Sequence, residues 1–111
     1  RPFLDSLFKP PDDWRVPKED HAIVCRCEAL TKADVDAAIA LGVSGPNQLK
    51  SYCRAGMGRC QGRMCALTIQ KMIHNRNGGL EEEIGHLSIR PPIRPLTVGE
   101  LAALAHEDAG R

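Results

Sequence analysis

Apolar and polar positions alternate in different ways along the chain. Between residues 1 and 24, Phe3, Leu4, Leu7, Phe8 and Trp14 are scattered among Pro2, Pro10, Pro11 and Pro17 and among Asp12, Asp13, Glu19 and Asp20. Proline fixes φ and removes a donor, so this stretch is expected to be an extended arm, either docked on a partner or wrapped back over its own domain. His21-Ala22-Ile23-Val24 is a short apolar run, a short strand or an extended lead-in. Leu30-Thr31-Lys32-Ala33-Asp34-Val35 is a helix start: Thr31 and Asp34 form a capping box, with Leu30 and Val35 as its staple. That helix continues through Ala37, Ala38, Ile39 and Leu41, and Gly42 is a left-handed stop. Gly45-Pro46 opens a second helix, which runs through Leu49 to about Arg54, with proline in its first turn. A third helix is expected from about Gly62 to His74, with Met64, Leu67 and Met72 on its core face. From residue 80 to 95, Ile84, Leu87, Ile89 and Ile93 are interrupted by Pro91, Pro92 and Pro95, which predicts an extended segment. Thr97 and Glu100 repeat the capping box before a short last helix, about 98–106, carrying Leu101 and Leu104.

The predicted fold is therefore mostly α. A helix-turn-helix domain over 21–79 lies between an arm (1–20) and a proline-rich tail with a short helix (80–111). The chain has 111 residues. A domain of that size buries a modest share of its surface, so a metal or a partner would add stability. Aromatic residues make up 4% of the chain, thin for a self-sufficient core. The formal net charge of +1, with no basic block, gives no footprint for nucleic acid, although the second helix carries Asn47, Gln48 and Lys50. Nothing approaches the ~20 apolar residues that span a bilayer. The chain opens on Arg1-Pro2-Phe3 without a leader pattern or an initiator Met. It is expected to be cytoplasmic, and a processed subunit or a fragment.

The candidate chemistry lies in the cysteines. Cys25-Arg26-Cys27 is a C-x-C pair, and Cys60-Gln61-Gly62-Arg63-Met64-Cys65 is a C-x4-C pair. Without a secretion signal, thiols read better as metal ligands than as disulfides, and one residue between Cys25 and Cys27 makes a local bridge awkward. Four thiolates complete either a tetrahedral zinc site or a 2Fe–2S cluster. Zinc usually takes C-x2-C to C-x4-C knuckles, and C-x-C is less usual for it. Gly56, Gly58 and Gly62 allow backbone N–H groups to approach cluster sulfurs, and Cys65 is expected in the first turn of the third helix, near its free N–H groups. Arg26, Arg59 and Arg63 are either neutralising neighbours of a negative cluster or solvated surface. No catalytic constellation stands out: His21, His74, His86 and His106 are scattered, and no G-x-G-x-x-G fingerprint is present.

The run CRCEALTKADVDAAIALG…GPNQLKSYCRAGMGRCQGRMC resembles the bacterioferritin-associated-ferredoxin-like 2Fe–2S domain. Its GMGxCQGRxC form is similar to the version attached to FAD-dependent amine and amino-acid dehydrogenases. RPFLDSLF and IRPPIRPLTVGELA resemble the flanks of that domain in the opine and hydroxyproline group. The resemblance implies cluster ligands at Cys25, Cys27, Cys60 and Cys65 and no ligand role for Cys53. It implies an electron-transfer subunit of a heteromeric opine, hydroxyproline or proline dehydrogenase, with FAD, and FMN in some, on partner flavoprotein subunits. Two other readings use the same residues: a zinc-holding interaction module and a free-standing ferredoxin.

Overall fold

A computed structural model describes residues 1–11 and 14–108, with side chains to residue 103. Asp12, Asp13 and the side chains of Leu104 and His106 lie outside the described residues. The elements are helix α1 (Pro2–Leu7), strands β1 (Ile23–Cys25) and β2 (Leu30–Thr31), helices α2 (Lys32–Ile39), α3 (Pro46–Cys53) and α4 (Ala66–Asn77), a 3-10 turn (Glu81–Ile84) and helix α5 (Val98–Asp108). The fold is mostly helical, as expected.

The core is aliphatic. Val35, Ala38 and Ile39 of α2, Leu49 of α3 and Ile69, Met72 and Ile73 of α4 bury against one another, with Val24, Val43 and Ala55 closing the gaps. Cys25 and Cys65 belong to the same cluster. The four aromatic residues stay outside: Phe3, Phe8, Trp14 and Tyr52 are all exposed. Strands β1 and β2 pair antiparallel, with Ile23 opposite Thr31 and Cys25 opposite Leu30, and a register irregularity lies between. This small hairpin presents the first cysteine pair at the edge of the helical core.

The α2 start forms as the sequence predicts. The Thr31 N–H and Oγ1 donate to Asp34 Oδ2 (2.9 and 2.7 Å), and the Asp34 N–H donates back to Thr31 Oγ1 (3.3 Å). Gly42 has φ +93°, so the chain turns out of α2 where a side chain would be strained. Helix α3 begins on Pro46 and stops at Arg54, which takes the left-handed conformation itself (φ 63°). The Thr97–Glu100 box caps α5 in the same way as that of α2.

Three expectations need correction. The arm is not extended throughout: residues 2–7 form α1. Its only proline, Pro2, sits at the first turn, where the missing N–H costs nothing, and the next proline comes at position 10. Residues 14–20 do wrap back. Val16 packs on the core, Arg15 pairs with Glu81 (3.3 Å) and Asp20 with Lys32 (2.7 Å). Helix α4 begins four residues later than expected, because residues 62–65 turn around a cysteine instead of entering the helix, and it ends at Asn77. Its core face is Ile69, Met72 and Ile73, spaced i, i+3, i+4, whereas Met64 and Leu67 are exposed. The stretch from residue 80 is not uniformly extended either: Glu81–Ile84 makes a 3-10 turn before the prolines begin.

Candidate metal centre

The first cysteine pair lies on the hairpin. Cys25 ends β1 and is buried, with 1% of its surface exposed, and Cys27 is exposed in the turn that follows. That turn closes through Ala29 in the left-handed region (φ 53°). The second pair brackets the turn before α4. Cys60 is half-buried, Gln61 and Gly62 both have positive φ (54° and 78°), and buried Cys65 occupies the N-cap of α4. Cys65 therefore precedes the first turn of the helix instead of lying within it.

Folding brings the two pairs together. Cys25 lies near enough to Cys65 to raise the Cys65 pKa, and Cys27 near enough to Cys60 to lower the Cys60 pKa. Cys60 is also close enough to Cys65 for its charge to act there. Among the described residues, no three His, Cys, Asp or Glu side chains close on one point as a metal-holding group. The four cysteines are neighbours in series, Cys25 beside Cys65, Cys65 near Cys60 and Cys60 beside Cys27.

The environments of Cys60 and Cys65 differ. At Cys60 the N–H of Met64, first, then Cys27 and the N–H of Gly62 hold the pKa below the ordinary thiol value, against the opposing effect of burial, while the Arg63 N–H closes the turn on Cys60 O (3.1 Å). This is a small nest of amides made by the left-handed Gln61-Gly62 turn. At Cys65 burial dominates, and the nearby Cys25 and Cys60 charges add to it, so the thiol is pushed up to about 12. A buried sulfur of that kind gives up its proton when a cation sits beside it. Gly58 packs directly on Cys27, and a Cβ there would overlap the Cys27 side chain.

Residues 23–75 match the BFD-like [2Fe-2S] binding domain. They belong to that family. The chain is also 43% identical over 107 residues to the A subunit of opine oxidase from Agrobacterium tumefaciens (strain Ach5), covering 96% of this chain and 21% of that protein. Against the corresponding opine oxidase protein of Rhizobium meliloti (strain 1021) it is 42% identical over 104 residues, covering 94% and 22%. Against hydrogen cyanide synthase subunit HcnB of Pseudomonas aeruginosa it is 36% identical over 85 residues, covering 77% and 18%. The chain thus spans about a fifth of the length of these curated relatives. No solved structure matches it significantly.

The residues fit the family's cluster. A 2Fe–2S centre takes four thiolates, and the matched residues carry Cys25, Cys27, Cys60 and Cys65, with amide donors beside Cys60. Cys53, the fifth cysteine, stands apart. It is half-buried against the core, its Sγ donates to Leu49 O (3.5 Å) and burial raises its pKa, as for a packing residue. Of the arginines, Arg63 is tied to backbone, through Nη1 to Cys60 O (3.4 Å) and Nη2 to Ile93 O (3.2 Å). Arg26 and Arg59 are exposed. Asn47, Gln48 and Lys50, the polar residues of α3, all have internal partners: His86 and Ser88 backbone, Ser44, and Ser88 O. The part played by residues 85–93 carried no signal in the sequence, since the side-chain hydrogen bonds to them come from residues far away in the chain.

Proposed function

We propose that Cys25, Cys27, Cys60 and Cys65 hold one 2Fe–2S cluster, and that the chain is the electron-transfer part of a heteromeric FAD-dependent dehydrogenase acting on an opine or a related secondary amine. The observation that carries this reading is that all four cysteines lie inside the matched domain, where the fold brings those of the first pair near those of the second. When bound, such a cluster supplies one-electron transfer. The chain's own residues supply the rest. The buried pair excludes water from one side, the amides around Cys60 stabilise negative charge on sulfur, and the exposed Cys27 edge gives a short path to a partner. These residues carry no dinucleotide fingerprint, and on this reading flavin belongs to partner subunits. The choice of opine over hydroxyproline or proline follows the names of two of the relatives that this chain matches over most of its length.

Anaerobic purification of the full chain tests the proposal. Stoichiometric iron and sulfide, a visible chromophore and a reduced-state paramagnetic signal are expected. Cys60→Ser should lose most of the chromophore. Colourless protein holding one zinc would replace the cluster with the zinc-module reading. A flavoprotein subunit should co-purify with the chain from its source, whereas a free-standing ferredoxin would come alone.

A further inference from the structure

The matched domain ends at residue 75, yet the chain after the 3-10 turn runs back across the cysteine loop and is fastened along its length. Gln70 Nε2, buried in α4, donates to Gly85 O and faces His86 Nδ1 at 3.0 Å. Asn47 holds the next residues from both sides. Its Nδ2 donates to His86 O (3.0 Å), and its Oδ1 accepts from the Ser88 N–H (2.8 Å), like one rung of a strand pair. Lys50 Nζ donates to Ser88 O (3.2 Å). Arg63 then joins the cysteine loop to the far end, through Cys60 O and Ile93 O.

Leu87 is buried among these fastenings, while His86 and Ser88 beside it are exposed. Its side chain fills the space over Gly56 and Gly62. A Cβ on Gly62 would sit 3.2 Å from Leu87 Cδ2, and one on Gly56 would overlap Leu87 Cδ1. Gly62 lies two residues after Cys60, in a turn that the Arg63 N–H closes on Cys60 O (3.1 Å), and the Gly62 and Met64 N–H groups reach the Cys60 sulfur. The peg thus presses on the turn that makes the amide nest, and that turn runs through two left-handed residues with no helix or sheet to hold them.

We infer that residues 85–93 are a strap over the cluster loop and that Leu87 is a positioning residue, holding the Gly62 and Met64 amides on the Cys60 sulfur and keeping water from that side. This rests on the proposal that Cys60 is a cluster ligand. Amide hydrogen bonds to cluster sulfurs favour the more negative, reduced state and raise the potential, and groups behind the ligands govern how firmly a metal is held. Shortening the peg opens a void behind the turn and releases the amides. The expected consequences are a more negative potential and faster loss of iron.

The test compares the full chain with Leu87→Ala, Leu87→Met and Asn47→Ala, all purified without oxygen. Iron and sulfide content, bleaching by EDTA, midpoint potential and thermal unfolding are read for each. Leu87→Ala should load its cluster, bleach roughly tenfold faster and show a more negative potential. Leu87→Met, of similar volume, should restore both. Asn47→Ala, which loosens the strap from an exposed position without touching the loop, should move both in the same direction by less. Wild-type bleaching and potential in Leu87→Ala and Asn47→Ala would overturn the inference, and so would a change in thermal unfolding alone. If Leu87→Ala fails to fold, Asn47→Ala decides. Unsubstituted protein lacking iron and sulfide would sink the cluster reading, and this inference with it, before any variant is compared.

Discussion

At the scale of single residues, the cysteines differ in what surrounds their sulfurs, and that separates ligands from packing. Cys53 gives its thiol to a carbonyl one helical turn back and faces the core. Cys53→Ala should therefore leave the visible spectrum intact and cost stability of about 1 kcal/mol, the scale of a small change in packing. Ala29 presents the opposite case. It holds the turn after Cys27 with φ 53°, a conformation that costs a side-chain-bearing residue roughly 1 kcal/mol. Ala29→Gly is expected to raise the unfolding midpoint in denaturant, because glycine takes that φ without strain. The ligand candidates were legible because C-x-C and C-x4-C are local spacings. The strain at Ala29 and Gln61 was not, since nothing in either side chain marks a left-handed backbone.

At the scale of elements, the helix starts were the most legible feature and the loops the least. A capping box is written in four consecutive residues, and both boxes form as expected, at Thr31–Asp34 and at Thr97–Glu100. Its electrostatics predict a pH dependence. Hydrogen bonds from the Thr31 hydroxyl and N–H hold the Asp34 carboxyl below its ordinary pKa. A carboxyl lowered in the folded state adds stability above its unfolded pKa and loses it as the pH falls through the folded one. Asp34→Asn should therefore melt lower than the unsubstituted chain at pH 7, and the two should converge below about pH 4. Asp20, lowered by its hydrogen bond from Lys32, acts in the same direction and steepens the acid limb of both curves. Thermal melts across that range check the sign. The late start of α4 has a different cause. Gly62-Arg63-Met64-Cys65 has helix-compatible residues, but the Arg63 and Cys65 N–H groups close tight turns on Cys60 O and Gly62 O (3.1 and 3.2 Å) and Gly62 is left-handed, so the helix waits until Ala66. Long-range fastening explains the rest: Asn47 looks like an exposed helix residue until residues 86–88 arrive beside it.

At the scale of the whole molecule, the chain divides its apolar residues between an aliphatic core that stabilises the domain and an outer set that contributes nothing to it. Every residue of α1 is exposed, and Phe3 and Phe8 each keep 74% of their surface. The prolines of the first 24 residues mask this helix in the sequence, because they flank a proline-free run from Phe3 to Lys9 without entering it. By area, an apolar face left in water gives up roughly 25 cal/mol for every Å² it could bury, so Phe3, Leu4 and Leu7 of α1, with Phe8 at its C-cap, are better accounted for by a partner than by this domain. Residues 14–20, in contrast, are tied to the domain through Val16, Arg15 and Asp20. Deleting residues 1–8 should therefore leave the unfolding midpoint and the visible chromophore of the isolated chain within error of the unshortened protein. The same deletion should weaken co-purification with the flavoprotein subunit of the proposed complex, while Val16→Asp should lower the midpoint of the isolated chain. Loss of stability on deleting α1 would mean that the helix packs on its own domain in solution. Undiminished co-purification would move the docking surface to the exposed edge around Cys27, where a short path from a flavin to the cysteines would also run.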